Sequence, residues 1–429
     1  MENMYRSRII DKYLDKITKV YNAINIVGPK GCGKTTTAKQ RVKTVIEFQN
    51  EEERDNLLMI ASTSPIQFLK NPKPILFDEW QDAPKIWGTI RKNCDDNPLD
   101  VGSYFLTGSS SKKVDTPHTG TLRISTVRMN PMSLYEMGKS TGEVSLKELF
   151  DNPDSFTGCK SNMTIDDTIN AICIGGWPRA LLFEDIELQQ MIANDLYKQT
   201  YSIDICQIDK KKRNPNWAKA IINSYARNIC TLAENKTIYT DVKSNYAISE
   251  PTFYDYINAL KELYIIDDID AWCPAIRSKS NLRSGKKRNL IDPSIAVSAL
   301  GLSPEYFYSD FKTLGFLFES LCIRDLKIYS QSQNGTMSYY HDRYGLEADG
   351  VLHLEDGRYA LIEFKLGGNE IEKGAKHLCE IEKLIDEYNK KETQSPLRKP
   401  DLKLVITSTE YGCRRDDGVF VIPLGCLKD

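Results

Sequence analysis

Long apolar runs are missing from this chain of 429 residues. No stretch approaches the roughly 20 apolar residues that a membrane-spanning helix needs, so no membrane partner is expected. The first residues, Met1 to Lys19, alternate charges with single apolar residues and lack the uninterrupted apolar core of a secretory leader. Excess charge of either sign is missing too. Net charge is −2 at pH 7, so the molecule as a whole has no field to gather nucleic acid or anionic lipid, and any polyanion site must be local. Paired cysteines are also lacking: the 11 cysteines, an odd number, show no C-x-x-C spacing, and the four histidines lie far apart. This excludes the common zinc patterns and a disulfide framework, and predicts reduced thiols in a cytoplasmic protein. Low-complexity tracts and internal repeats are absent. What remains, 41% hydrophobic and 27% charged residues, is an ordinary globular composition, long enough for about three domains.

Against that background one octet stands out, Gly28-Pro29-Lys30-Gly31-Cys32-Gly33-Lys34-Thr35, placed after the apolar run Ile24-Asn25-Ile26-Val27. Glycines at both ends let the backbone wrap a phosphate and aim several N–H groups at it. Gly28, Pro29, Gly31, Cys32 and Gly33, with Lys34, Thr35 and Thr36 behind them, are expected to line bound ATP. Lys34 reaches the β- and γ-phosphates, and the Thr35 hydroxyl takes a Mg²⁺ position. Cys32 is an oxidation-sensitive spot if it is exposed. Downstream, Ile75-Leu76-Phe77 reads as a buried parallel strand that ends in Asp78-Glu79. In this order after a phosphate loop, Asp78 is expected to hold Mg²⁺ through water and Glu79 to polarise the attacking water. A third strand, Tyr104-Phe105-Leu106, ends in Thr107-Gly108-Ser109-Ser110, whose hydroxyls are candidate sensors of the γ-phosphate. Arg123, Arg128 and Arg179 are candidate arginine fingers.

From about 136 to 235 strand signals fade, and Ile186 to Ile203 and Trp217 to Leu232 carry helical spacing, which predicts a helical lid. The rigid bend Gly175-Gly176-Trp177-Pro178-Arg179 lies within it. Residues from about 236 to 275 resemble a small winged-helix module: Ser249 is a cap, Pro251 suits the first turn, and Phe253, Ile257, Leu260 and Leu263 form a core face. Its helix and wing are acidic, through Glu250, Asp255, Glu262, Asp267, Asp268 and Asp270, so packing is favoured over DNA reading. Two basic runs, Lys210 to Arg213 and the loop carrying Arg277, Lys279, Arg283, Lys286, Lys287 and Arg288, are candidates to track phosphates.

Near the carboxyl end, Leu346 to Leu366 reads as two strands around Glu355-Asp356-Gly357. With Gly357 left-handed in a three-residue loop, Leu354 pairs with Arg358, Asp349 lies opposite Glu363, and Glu347 opposite Lys365. One face then collects Leu346, Ala348, Gly350, Leu352 and Leu354 with Ala360, Ile362, Phe364 and Leu366, while the other gathers carboxylates and a lysine. Carboxylates meeting on one face repel unless a cation joins them, and Mg²⁺ or Mn²⁺ suits an all-oxygen site. Asp349 and Glu363 are therefore candidate metal ligands, with Lys365 steadying water or phosphate. Glu319, set among uncharged helical neighbours, needs a metal or a partner.

These residues together resemble a family of bacterial and archaeal AAA-type ATPases with a carboxyl-terminal domain of unknown function, over nearly the whole chain. The resemblance rests on Gly28 to Thr35, Leu76 to Gln81 with Pro84, Thr107 to Ser110, Pro131-Met132-Ser133-Leu134-Tyr135-Glu136, Gly175 to Pro178, Asn289 to Pro293, and Glu347-Ala348-Asp349 with Glu363-Phe364-Lys365. It implies that Pro178 packs near the adenine and that the lid reports nucleotide state. It also implies a terminal domain similar to the restriction-endonuclease fold of PD-(D/E)xK enzymes, with Glu319, Asp349, Glu363 and Lys365 at the acidic and lysine positions. The chain departs from the family where Leu122-Arg123 replaces a usual Gly-Arg and where Gly350 follows Asp349.

The expected fold is α/β and multidomain: a P-loop parallel-sheet ATPase (1–135), a helical lid (136–235), a winged helix (236–302) and a restriction-endonuclease-like α/β domain (303–429). The expected function is a Mg²⁺-dependent ATPase whose cycle controls the nuclease-like domain, acting on DNA, with Mn²⁺ an option at the distal site. The alternative is a slow nucleotide-dependent switch or scaffold that binds a protein partner and carries an inactive nuclease fold. Oligomerisation is compatible with either.

Overall fold

The computed structural model describes residues 5–108, 120–209, 211–274, 285–342, 345–392 and 394–429. The apolar runs that precede Gly28, Asp78 and Gly108 form the middle of an all-parallel sheet. Its strands are β1 (Ala23–Val27), β2 (Thr44–Glu47), β3 (Ile75–Asp78), β4 (Tyr104–Gly108) and β5 (Ile124–Arg128), in the order β2-β3-β4-β1-β5. Alternate side chains serve opposite faces. Ile24, Ile26, Leu76 and Phe105 pack with Ile10, Leu14 and Ile17 of the Ile10–Ile17 helix, whereas Ile75, Phe77, Tyr104 and Leu106 pack with Ile86, Trp87 and Ile90 of the Lys85–Asp96 helix. Both faces are covered, which is why these strands read as continuous apolar runs.

The expected lid is mostly helical, with helices at Ile165–Ile174, Ile186–Gln199 and Pro215–Arg227. A five-residue π-helical turn, Thr200–Asp204, follows the second. Two short strands interrupt the helical reading, β6 (Val144–Ser145) and β7 (Cys159–Lys160), because the far end of the chain supplies their partners. Next come helices Asn235–Lys243 and Glu250–Glu262. Ser249 caps the second of these by accepting from the Thr252 amide at 3.3 Å, and Phe253, Ile257, Leu260 and Leu263 are buried. Antiparallel bridges Ile266↔Leu290 and Ile269↔Lys287 close the segment.

The acidic and basic residues of this region neutralise one another. Lys211 and Arg213 pair with Asp255, Lys286 with Asp270, and Arg288 with Asp268. Lys211, Arg213, Lys286 and Arg288 of the basic runs thus each have a carboxylate partner; Lys210, Arg277, Lys279 and Arg283 lie outside the described residues.

The remaining strands are β8 (Asp270–Ala271), β9 (Thr336–His341), β10 (Glu347–His353), β11 (Tyr359–Lys365), β12 (Leu402–Thr407), β13 (Tyr411–Arg414), β14 (Phe420–Pro423) and β15 (Leu427–Lys428). Eight strands form one mixed sheet in the order β7-β13-β14-β12-β11-β10-β9-β8, while β15 pairs with β6. The Phe311–Tyr329 helix covers one face through Leu314, Leu317, Leu321 and Phe318. The Ile371–Lys391 helix covers the other, with Ala375, Leu378, Ile381 and Ile385 recurring at helical spacing.

The hairpin register follows the expected turn. Gly357 has φ +87°, Leu354 N donates to Arg358 O at 2.8 Å, and Gly350 pairs with Ile362. One part of the expectation fails. A bulge in β10 between Ala348 and Val351, set by pairing to β9, flips the pleat. Leu352 and Leu354 face the Phe311–Tyr329 helix as expected, but Leu346 and Ala348 pack on the opposite side with Val351 and Leu361. Glu347 pairs with His341 of β9, while the ladder from β10 to β11 begins only at Gly350↔Ile362.

Candidate functional site

Parallel register brings three residues from three strand ends together. Ile26 and Asp78 both sit level with Thr107, because β4 lies between the strand before the phosphate loop and the strand ending in Asp78. Asp78 Oδ1 accepts from Thr35 Oγ1 at 2.7 Å and also from Thr107 Oγ1. Lys34, buried, donates through Nζ to Gly28 O and Pro29 O, each at 2.9 Å, so its ammonium lies folded over the loop. The loop could not be built with side chains at its ends: a Cβ on Gly28 would meet Met129 O at 2.2 Å. Glu79 holds a left-handed backbone, φ +52°, which only a few per cent of non-glycine residues adopt, and its Oε2 accepts from Gln81 Nε2. Ser109 and Ser110 lie outside the described residues.

Cys32 is fully buried, its thiol facing Met129 O, so the exposure on which oxidation sensitivity depended is not met. Thr36 is exposed on the first turn. Arg8 was not legible as functional in the sequence, yet it is buried and braces the loop: it donates to Cys32 O at 2.8 Å and Asn130 O at 2.9 Å, and pairs with Glu136 at 3.0 Å. The lid lies against this loop. A Cβ on Gly33 would be 3.5 Å from Pro178 Cγ, and Lys30 Nζ reaches Asp204 Oδ1 of the π-helical turn at 2.5 Å. Of the three candidate arginines, Arg123 pairs with Asp95 and Arg128 with Asp267, while Arg179 is exposed next to Pro178.

Several motifs of the sequence meet in one buried polar cluster. Asp292 Oδ2 accepts from Gly176 N and from Arg324 Nη1, both at 2.9 Å, and its Oδ1 accepts from Ser294 Oγ at 2.6 Å. Trp177 Nε1 donates to Ser294 Oγ at 3.0 Å. Arg324 also pairs with Asp325, whose Oδ2 accepts from Leu134 N at 2.9 Å. Gly176 permits this junction, since a Cβ there would meet Met132 O at 2.2 Å. Asp292 and Asp325 are inaccessible to solvent, so every charge here depends on its partner.

The second constellation forms where the hairpin, the Phe311–Tyr329 helix and the Ile269↔Lys287 bridge converge. Asp349 Oδ2 accepts from the Phe364 amide at 3.0 Å and from Lys365 Nζ at 3.1 Å, and Lys365 Nζ is 2.5 Å from Glu363 Oε2. Glu319, Asp349, Glu363 and Lys365 are thus neighbours, as the sequence reading expects. Lys287 was missed in this role: its Nζ donates to Glu319 Oε1 at 2.6 Å and to the Asp349 carbonyl at 2.9 Å. Only a Lys in a basic loop announced it, and its acidic partners lie 32 and 62 residues away.

Burial, reinforced by the charge on Asp349, pushes the Glu363 carboxyl up to about 8. Burial likewise raises Glu319 to about 7 although Lys287 opposes it. Burial also pulls Lys287 and Lys365 down, but the surrounding carboxylates outweigh it and hold both ammoniums above the ordinary lysine range. Glu363 Oε1 is buried with no hydrogen-bond partner; His377 Nδ1 is 3.4 Å away but not aligned as a donor.

Residues 20–138 match the AAA domain family. Residues 165–306 and 314–427 match two domains of unknown function, DUF8612 and DUF4143. A search of the curated proteins finds no match. Similar solved structures include the Walker-type ATPase PABY2304 of Pyrococcus abyssi, 15% identical, covering 70% of this chain and 96% of that one, with a TM-score of 0.43. AMPPCP-bound DnaA from Aquifex aeolicus is 14% identical over 59% of this chain and 86% of that one, with a TM-score of 0.27. The signal-transduction ATPase PH0952 from Pyrococcus horikoshii, which has a tetratricopeptide repeat sensor, is 12% identical over 77% of this chain and 50% of that one, with a TM-score of 0.24. No helix among the described residues is long and apolar enough to cross a membrane. The phosphate loop, the acid-ended β3 and the family match over residues 20–138 together make the amino-terminal part of this chain an AAA-type P-loop domain.

Proposed function

We propose that the protein binds ATP with Mg²⁺ and hydrolyses it, and that the nucleotide cycle governs a nuclease-like carboxyl-terminal domain. The observation that carries the first part is the meeting of Thr35 and Thr107 hydroxyls on one oxygen of Asp78, with a Lys34 ammonium that donates to two loop carbonyls. This oxygen donor set fits Mg²⁺, which Thr35 would hold directly and Asp78 through water. The metal supplies charge neutralisation at the phosphates. Lys34 binds the β- and γ-oxygens, and Glu79, held by Gln81, orients the attacking water and takes its proton. Pro178 closes the loop side of the pocket, and exposed Arg179 beside it is the arginine best placed to meet nucleotide or a neighbouring subunit. Glu79→Gln is expected to retain ATP binding and slow phosphate release by about a hundredfold or more. Equal turnover of the variant and the parent protein would remove Glu79 from this role.

For the distal site, the orphaned Glu363 Oε1 is the feature that fits a cation, since a buried carboxylate oxygen without a donor calls for one. Asp349 and Glu363 would hold a divalent ion, with Lys365 binding the water or phosphate beside it. Such an ion supplies water activation. Incubation with labelled DNA, Mn²⁺ and ATP is expected to give cleavage that Glu363→Ala loses.

A second reading, a slow nucleotide switch that binds a protein partner and carries a silent nuclease fold, is favoured by the Lys287 ammonium seated on Glu319. Under that reading no DNA is cut in any condition. The winged-helix assignment draws support from the capped Glu250–Glu262 helix and the two antiparallel bridges behind it.

A further inference from the structure

The charges of the distal cluster are balanced by an extra lysine. When all three are ionised, as metal ligands must be, Glu319, Asp349 and Glu363 supply three negative charges, and Lys365 supplies one positive charge from the same strand as Glu363. That set has a deficit of two positive charges, which suits one divalent ion. Lys287 removes half of the deficit from outside the sheet. A divalent ion added with both lysines in place would leave the buried cluster at net +1, an unfavourable state in a medium of low polarity.

Lys287 is rigidly delivered. Its N–H donates to Ile269 O and its carbonyl accepts from Ile269 N, both at 2.9 Å, and the next residue is tied to Thr231 O and Cys230 N at 2.8 and 2.7 Å. It also lines, with Glu319, Asp349 and Glu347, a cavity of about 200 Å³, ample for a hydrated ion. Glu363, which does not line this cavity, keeps an Oε1 with no hydrogen-bond donor among the described residues. The cluster therefore has one oxygen calling for a cation and one resident ammonium already holding two others.

We propose that Lys287 is a built-in competitor of divalent metal: its ammonium occupies Glu319 and the Asp349 carbonyl, and the cluster takes up a divalent ion tightly only when that ammonium is removed or withdrawn. The inference rests on the reading of Asp349 and Glu363 as metal ligands, and the experiment separates the two.

Mn²⁺ is titrated into the full-length protein without nucleotide, and free Mn²⁺ is followed by electron paramagnetic resonance. Lys287→Met is expected to bind Mn²⁺ at least about tenfold more tightly than the parent chain, a change of about 1.4 kcal/mol. Lys287→Gln, which keeps much of the length and a donor, should behave in the same way, and Lys287→Arg should resemble the parent. Adding Asp349→Asn to Lys287→Met should erase the gain.

Unchanged affinity in the folded neutral variants, with parent binding still lost in Asp349→Asn, overturns the competitor while leaving the metal site standing. Binding indifferent to Asp349→Asn in every background overturns the metal site itself. Failure of both neutral variants to fold also counts against the competitor, because the ammonium would then be required to hold the domain together.

Discussion

Lys34→Ala is expected to lower ATP hydrolysis by at least about a hundredfold, the scale lost when a preorganised charge is taken from a transferring phosphoryl group. The side chain is buried, and among the described residues its ammonium donates to Gly28 O and Pro29 O. Those carbonyls belong to the loop proposed to wrap the phosphates, so in that reading the charge needs no long side-chain search to meet the γ-phosphate. The fold should survive the change. The loop has its own braces, since Arg8 holds Cys32 O and Thr37 N closes the helix on Gly33 O at 2.9 Å. Phosphate release measured beside a thermal melt checks both statements, and undiminished release from folded Lys34→Ala would remove the assignment of this loop to hydrolysis.

Asp292→Ala has the larger expected effect on stability. It leaves the Arg324 guanidinium with Asp325 alone and removes the acceptors of Gly176 N and the Ser294 hydroxyl. Breaking a buried pair from one side costs about 3–5 kcal/mol, because the remaining charge stays desolvated. Ser294→Ala, which deletes one hydroxyl between Asp292 and Trp177, should cost only about 1 kcal/mol. Urea unfolding followed by circular dichroism distinguishes them. Equal midpoints for Asp292→Ala and Ser294→Ala would mean that Asp292 does not carry the junction.

The parts of the fold that were legible in the sequence are those dictated by near neighbours. The phosphate loop, the acid-ended β3 and the Gly357 turn are local patterns, and the structure places Lys34, Thr35, Asp78 and Thr107 together from spacing alone. Asp349 and Glu363 come to one end of the hairpin because one turn residue sets its register, whereas Lys365, expected opposite Glu347, bonds Asp349 instead. The misses have distant causes. The bulge that moves Leu346 and Ala348 to the other face is specified by β9, a strand whose pairing no period-2 pattern reveals. The pairing of the basic runs was not legible because Asp255 and Glu319, which capture Arg213 and Lys287, lie 42 and 32 residues away. Arg8 stands in an unremarkable stretch, and its three partners come from the phosphate loop and from 130–136.

The Phe311–Tyr329 helix has a mechanical consequence. Its Asp325 is fastened to the Leu134 amide, and its Glu319 stands in the distal carboxylate group. The two positions are six residues apart on one uninterrupted run of i→i−4 bonds, about 9 Å of axial rise. Such a run behaves as a strut. Gly176 reaches this helix through Asp292 and Arg324, so one continuous element carries both the junction with the Gly175–Pro178 bend and Glu319.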